Sequence, residues 1–403
     1  MKKRIIYIVS YFLLLLTLFV CQKPFFMLYN DAAEKGALFS DFFRVMGNGI
    51  SLDAATAGYL TALPFLMVLI SIWVKKFPLR KILLPYFIIA SLLVAVVFVV
   101  DMGLYPFWGF KLDASIFLYL DSPKEAMASV SFGFILLRVI AMLMLTTFYV
   151  WLMCKVTPHK LEVTAKRIGG TLGMLLLGGI LFVVIRGGVT ESTSNVGQVY
   201  FSNNQFLNHS AVNPCFSLLS SMGKSKDFAS EFNFFEEEQR AKLVEGLYPT
   251  SDGDSLVQVL TTNRPNVLLV LMEGFGGAFI EPLGGLPDVA PNLNRLSEEG
   301  VFFTNCYANS FRTDRGTVCT LSGYLGLPTV SVMKIPTKSR TLPAISEELV
   351  KAGYQTDFIY GGDINFTNMK SYLLSKGYQH LTADTDFSLA ERNSNVWGVN
   401  DDI

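Results

Sequence analysis

The stretch NVLLVLMEG, residues 266–274, decides how the second half of this chain is read. Val267 to Met272 is an unbroken apolar run, and it ends on a carboxylate and a glycine, Glu273 and Gly274. A run this short with no polar alternation suits a strand covered on both faces, as in a parallel sheet. Downstream, Pro291–Glu299 carries Leu293 and Leu296 one helical turn apart, with Gly300 as a stop, which predicts a helix. Val301–Tyr307 predicts a second strand, Thr317–Leu325 a helix, Pro343–Ala352 a helix stopped by Gly353, and Gln355–Tyr360 a third strand. Alternation of this kind predicts an α/β fold with a largely parallel sheet.

In such sheets ligands bind beyond the carboxyl ends of the strands. Three polar residues fall there: Glu273 after the first strand, Thr313 between the second strand and its helix, and Asp363 after the third. Taken singly each has a plain explanation, since a strand-end Glu is commonly solvated and a Thr before a helix is commonly an N-cap. Together they place two carboxylates and a hydroxyl on one rim.

Upstream the composition changes. The 403 residues are 51% apolar and 16% charged, against the ~25% charge usual in soluble domains. The excess lies almost wholly before residue 187. Five apolar runs, roughly 5–21, 57–74, 82–100, 131–154 and 168–185, approach the ~20 residues that cross a hydrocarbon core. The first follows Met-Lys-Lys-Arg but lacks a small-residue cleavage site, so it is expected to be retained. Lys2, Lys3, Arg4, Lys75, Lys76, Arg80, Lys81, Lys155, Lys160, Lys166 and Arg167 occupy one set of loops. The opposite loops carry only Lys23, Lys35, Arg44, Lys111 and Lys124. This asymmetry predicts a cytoplasmic N-terminus, with everything after residue 186 outside. Arg138, inside the fourth run, is either functional or simply faces another helix or snorkels.

The expected organisation is a transmembrane domain over 1–186, an extracytoplasmic connector over 187–262 and an α/β segment over 263–403. The acidic patch from Glu231 to Glu238 is expected to be helical, with its glutamates on a solvated face. The net charge of zero gives no field for nucleic acid. No Cys-x-x-Cys pair occurs, which excludes a zinc ribbon. Cys215, Cys306 and Cys319 lie where a disulfide is permitted.

The stretches APNLNRLSEEGVFFTNCYANS and LPAISEELVKAGYQTDFIYGGD resemble the helix–strand units of the sulfatase/alkaline-phosphatase superfamily. With five spans ahead of them, they are similar to the branch of lipoteichoic acid synthases and phosphoglycerol transferases. WGVNDDI, at the end of the chain, resembles a segment of that branch. The resemblance is specific from about residue 265 to 400 and loose in the spans.

The resemblance implies that Glu273 is a metal ligand and Thr313 the nucleophile and a second ligand. It implies a divalent cation, Mn2+ or Mg2+ in preference to Zn2+. It implies a membrane-lipid donor, a glycan or lipid acceptor and a place in the cytoplasmic membrane. Arg312, Arg315, Asp363, Asn365 and Asn368 become candidate substrate contacts. In classical sulfatases the nucleophile is an oxidised Cys or Ser followed by a Pro and an Arg. Thr313 cannot become a formylglycine, and Gly316 rather than an Arg lies three residues on, which favours phosphoryl transfer. The family's adjacent Asp-His pair is missing, and His209 and His380 do not replace it. The domain is therefore expected to be C-terminally truncated at Ile403, and the fragment alone to bind metal weakly and turn over nothing. A metal-dependent phosphodiesterase and an inactive membrane scaffold are the alternatives.

Overall fold

The structure is a computed structural model. It describes residues 1–114, 116–117, 132–163, 166–190, 192–222, 233–245, 259–327, 330–395 and 398–403. The five apolar runs form five helices long and apolar enough to cross a membrane. They are α1 (Lys2–Tyr29), α2 (Phe39–Ile70), α3 (Leu79–Trp108), α4 (Phe132–Val156) and α5 (Arg167–Arg186). The helices α1, α3 and α5 contain their predicted runs; α4 begins one residue into its run, and α2 begins 18 residues before its run and stops four residues short of the run's end. The extension is amphipathic. Val45, Gly49 and Leu52 are buried on one face, while Phe39, Phe43 and Ile50 are exposed on the other. Asp41 in its first turn accepts the Leu38 N–H at 2.9 Å.

The ends of this bundle are held by polar groups. At the N-terminal end, buried Arg4 donates to Ser71 Oγ at 3.0 Å, Ser71 O at 2.8 Å and Glu162 O at 2.7 Å. Beside it Arg80 Nε donates to Thr157 O at 3.0 Å, and Phe77 bridges to Leu161. The loops richest in Lys and Arg therefore meet at one end. At the opposite end Lys23 Nζ contacts both oxygens of Asp53, at 2.6 and 2.7 Å, and both residues are buried. Asn213 Nδ2 adds a third hydrogen bond to Asp53 at 2.9 Å. Lys111 and Asp101 form a second buried pair, braced by Leu112 N–H on Asp101 at 2.8 Å. Gly49 is needed at this end, because a Cβ there would lie 2.1 Å from Lys23 Cε and 2.4 Å from Ala211 O.

By contact the chain divides into two compact units, Met1–Ser225 with Val318–Ile403, and Lys226–Thr317. In the first, α6 (Gln205–Ala211) and α7 (Pro214–Met222) cap the Lys23 end of the bundle. Phe206, Leu207, Val212 and Phe216 join Phe26, Val45, Leu52 and Tyr105 in one core. The start of the predicted connector is thus packed structure, because its apolar residues complete the bundle's core.

In the second unit, α8 (Glu237–Glu245) has no buried residue. Its glutamates are solvated as expected, but the helix starts at Glu237 rather than in the patch before it. Residues 231 and 232 of that patch lie outside the described residues. The helix α9 (Pro291–Glu299) stops as expected, with Gly300 N–H on Leu296 O at 3.1 Å. The helix α10 is Thr313–Ser322, four residues earlier than Thr317, because Arg312 O already accepts from Arg315 and Gly316 N–H at 3.0 and 2.7 Å.

Two expectations of strand are corrected. Val267–Met272 and Val301–Tyr307 have no ladder partner among the described residues. Leu268 is 91% exposed. A buried parallel strand needs neighbours on its edges and cover on its faces, and the described part of this unit offers neither.

The α/β pattern appears in residues 318–403, in the first unit. There α11 (Ile345–Lys351) precedes β1 (Asp357–Ile359), and α12 (Met369–Ser375) links it to β2 (His380–Thr382). The two strands pair in parallel, Asp357 opposite His380 and Ile359 opposite Thr382. Their core gathers Val318, Leu321, Met333, Ile364, Met369, Tyr372 and Leu373. Arg340 fastens this part to the bundle, donating to Gly109 O at 3.0 Å and Trp108 O at 3.2 Å.

His209 of α6 is buried with its Nδ1 3.0 Å from Tyr105 Oη. Burial first, then the charges of Arg340 and Lys111, push its imidazole down to about 3. The unfolded chain takes up this proton near pH ~6.5 and the folded chain only near 3, so stability is full above the first value and falls between the two. Thermal melting of the detergent-solubilised protein is expected to show an acid-side loss of up to ~1.4 kcal/mol per pH unit from this group. His209→Gln is expected to flatten that limb.

Candidate functional site

The second unit brings two of the predicted residues together. The run before Glu273 ends in a turn at Gly274, whose φ of +68° is the left-handed conformation that glycine adopts without strain. This turn leaves the Glu273 carboxylate exposed. Thr313 is the first residue of α10 and is half-buried. Its Oγ1 donates to Glu273 Oε1 at 2.5 Å across 40 residues of sequence. A charge-assisted O–H···O bond of this length is at the short end of its class. Thr313 is thus more than a cap, since its hydroxyl is engaged with a carboxylate rather than turned back onto its own helix.

The two arginines differ. Arg312 is exposed beside Thr313. Arg315 is buried, with its guanidinium over the Phe311 ring at 4.6 Å. Its side chain packs against the start of the helix. Asp314, which the sequence reading passed over, is a buried carboxylate in the first turn of α10, where negative charge complements the helix dipole. Its position next to Thr313 carried no periodic signal that would have flagged it.

Asp363, Asn365 and Asn368 lie in the first unit. Asp363 Oδ1 accepts from Asn365 N–H at 2.9 Å and from Asn365 Nδ2 at 3.1 Å, a local turn after β1. Asn195 Nδ2 donates to Asn365 O at 2.9 Å. Asn368 is buried in a left-handed conformation, φ +65°. Its Oδ1 accepts from Gly197 N–H and its Nδ2 donates to Lys334 O, both at 3.2 Å. The Asn368 side chain thus stitches two segments of its own unit together.

Glu273 and Thr313 supply oxygen only. That donor set suits hard cations such as Mg2+ and Mn2+, whereas zinc sites favour nitrogen and sulfur. No group of three or more His, Cys, Asp or Glu side chains able to hold a metal occurs among the described residues. The two oxygens therefore fit a hard cation as part of a ligand set. All five cysteines are free thiols. Cys215 is buried, and burial pushes its thiol up to about 12, which leaves it inert at neutral pH.

Known proteins resemble the same region. A family profile described as Sulfatase matches residues 265–403. The match is confined to that segment, which is sulfatase-like. An ulvan-active sulfatase of Formosa agariphila is 31% identical over 129 residues, covering 28% of this chain and 21% of that protein. An N-acetylglucosamine-6-O-sulfatase of Bacteroides thetaiotaomicron is 28% identical over 98 residues, covering 24% of this chain and 18% of that protein. The chain thus spans about a fifth of the length of these curated relatives. A solved alkaline phosphatase superfamily protein from Vibrio parahaemolyticus is 34% identical, covers 32% of this chain and 31% of its own, and has a TM-score of 0.30.

The hydrogen bond to Glu273 separates two roles for Thr313. As a nucleophile it is indispensable, and Thr313→Ala is expected to lower turnover by several orders of magnitude, each tenfold being about 1.4 kcal/mol of barrier. As a cap alone, its loss costs ~1 kcal/mol of stability and leaves turnover within a few-fold. Thr313→Ser keeps the hydroxyl and is expected to retain measurable turnover. Steady-state rates and melting temperatures of the two variants, measured on the protein in its native membranes, distinguish these roles.

Proposed function

We propose that this chain is part of a membrane-anchored transferase that moves phosphoglycerol, or a related phospho-head group, from a lipid donor to a glycan or lipid acceptor. The observation that carries the reading is the 2.5 Å hydrogen bond from Thr313 Oγ1 to Glu273 Oε1 at the start of α10, in a sulfatase-like segment. The five apolar helices support a membrane anchor, and the Lys and Arg gathered at the Arg4 end support a cytoplasmic N-terminus. The segment after residue 186 then lies outside, close to the outer head groups.

In this reading Thr313 Oγ1 attacks the phosphorus of the donor. The Oγ1–P bond forms, the bond from phosphorus to the diacylglycerol oxygen breaks, and phosphoglycerol remains on Thr313. Glu273 Oε1, which already accepts the hydroxyl hydrogen, takes the proton and passes it to the departing diacylglycerol oxygen. The acceptor hydroxyl then attacks the same phosphorus, its proton returns through Glu273, and Oγ1 leaves as a hydroxyl. Mn2+ or Mg2+, held by Glu273 and Thr313 with further ligands, would favour the ionised hydroxyl and offset phosphoryl charge. The amides at the start of α10 and the exposed Arg312 would add to that stabilisation.

The sulfatase names of the curated relatives favour a second reading, ester hydrolysis, in which water takes the place of the acceptor. The two readings differ in product. Membranes carrying the protein, quenched after addition of a phosphatidylglycerol donor, are expected to yield a peptide containing Thr313 with the added mass of phosphoglycerol. Release of the group to an acceptor hydroxyl is expected to outpace release to water. An adduct on another residue excludes Thr313 as the nucleophile, and release to water alone selects hydrolysis. A periplasm-specific reporter fused after Thr262 is expected to be active, and activity only of a cytoplasmic reporter would reverse the topology.

A further inference from the structure

Arg138 of α4 has surroundings that the proposed chemistry does not use. Its depth follows from the groups that meet at the Arg4 end. Arg4, Ser71 and Thr157 mark that end through their own hydrogen bonds. Lys23, Asp53 and Arg138 lie 18 to 19 residues from them along α1, α2 and α4. At 1.5 Å per residue that is roughly 27–29 Å, about the thickness of a hydrocarbon core. The three charged residues therefore share one level, at the far edge of the apolar layer.

At this level Lys23 and Asp53 are buried and paired. Arg138 is different: it is half-buried, and no carboxylate among the described residues lies within ion-pair distance of it. Its guanidinium is nevertheless fixed. Nη2 donates to Tyr29 Oη at the end of α1, and the group lies over the Phe134 ring at 3.3 Å. Gly103 of α3 lies beside it, where a Cβ would be in ordinary van der Waals contact with Arg138 Nε at 3.4 Å. Three helix ends thus meet around a planar cation with five N–H donors, of which one donates to Tyr29 Oη and another makes a long 3.5 Å contact to Phe134 O. A lone arginine inside an apolar layer is costly, and an anion at the interface offsets that cost. Exposed Phe25 and the Tyr29 ring at the same helix end suit the head-group zone, where aromatic side chains collect.

We propose that Arg138, held by Tyr29 and Phe134 beside Gly103, binds the phosphodiester of an anionic phospholipid in the outer leaflet. The inference rests on the membrane placement proposed above and is independent of the chemistry at Thr313. The guanidinium fork matches two phosphodiester oxygens, and the neighbouring rings receive the glycerol and upper acyl carbons.

The test is binding, so it requires no turnover. Short-chain phosphatidylglycerol, short-chain phosphatidylcholine and inorganic phosphate are titrated separately into the detergent-solubilised protein, with calorimetry as the readout. Phosphatidylglycerol is expected to bind about tenfold more tightly than phosphatidylcholine. Arg138→Gln is expected to abolish that preference. Arg138→Lys, which keeps the charge but not the fork, is expected to retain about a third of it. The Thr313 adduct, read separately by mass spectrometry, tests the transferase reading, so failure of this inference and failure of that reading are distinguishable. Should Arg138→Gln not fold, Arg138→Lys alone decides, and an unchanged preference in it overturns the role of the fork. An Arg138-dependent response to inorganic phosphate equal to that for phosphatidylglycerol would make the site one for free phosphate and overturn the lipid assignment. A preference unaffected by Arg138→Gln overturns the site altogether.

Discussion

Asp53 has no solvent exposure, and a bare carboxylate in that position would cost several kcal/mol. Lys23 meets both of its oxygens and Asn213 meets one of them again, so the buried carboxylate is fully hydrogen-bonded. These three residues come from α1, α2 and the segment after α5. One carboxylate therefore fixes the register of two apolar helices that could otherwise slide, and it draws the following chain back onto the bundle. Gly49 shows how tightly this is done, because only a residue without a side chain leaves Lys23 its path. Once α6 and α7 are seated, Phe206 and Phe216 complete the core that Phe26 and Leu52 begin. Asn195, Gly197 and Arg340 then tie the α/β part to the same end of the bundle.

Against that fixed background the Thr313–Glu273 pair is local chemistry. It needs a turn at Gly274 to present a carboxylate and a helix beginning at Thr313 to present a hydroxyl. The same helix continues through Val318 and Leu321 into the core around Met333 and Tyr372.

The five helices, the helix stops at Gly300 and Gly353, and the likeness to sulfatases were legible in the sequence because each depends on neighbours in the chain. Apolar runs, turn glycines and the residues flanking Thr313 carry their meaning within about twenty positions. The strands were less legible. The apolar composition of Val267–Met272 is that of a buried strand, but strand status requires a paired neighbour, and among the described residues only Asp357–Ile359 and His380–Thr382 have one. Composition reports what a segment tolerates, whereas pairing depends on what lies beside it.

The sequence by itself determined where the apolar helices are, which loops carry the positive charge, and that a hydroxyl and a carboxylate, Thr313 and Glu273, lie in the sulfatase-like segment. Only the tertiary structure decided which polar residues act on one another. Lys23 finds Asp53 at a separation of 30 residues and Asp53 finds Asn213 at 160. Thr313 finds Glu273 at 40, and Arg138 finds Tyr29 at 109. It also divided the candidate contacts, leaving Arg312 in solvent while burying Arg315 over Phe311 and Asn368 against Gly197. The physical reason is desolvation: a polar side chain is free to meet a ligand or is taken up by its own fold according to which groups the packing brings within about 3 Å of it.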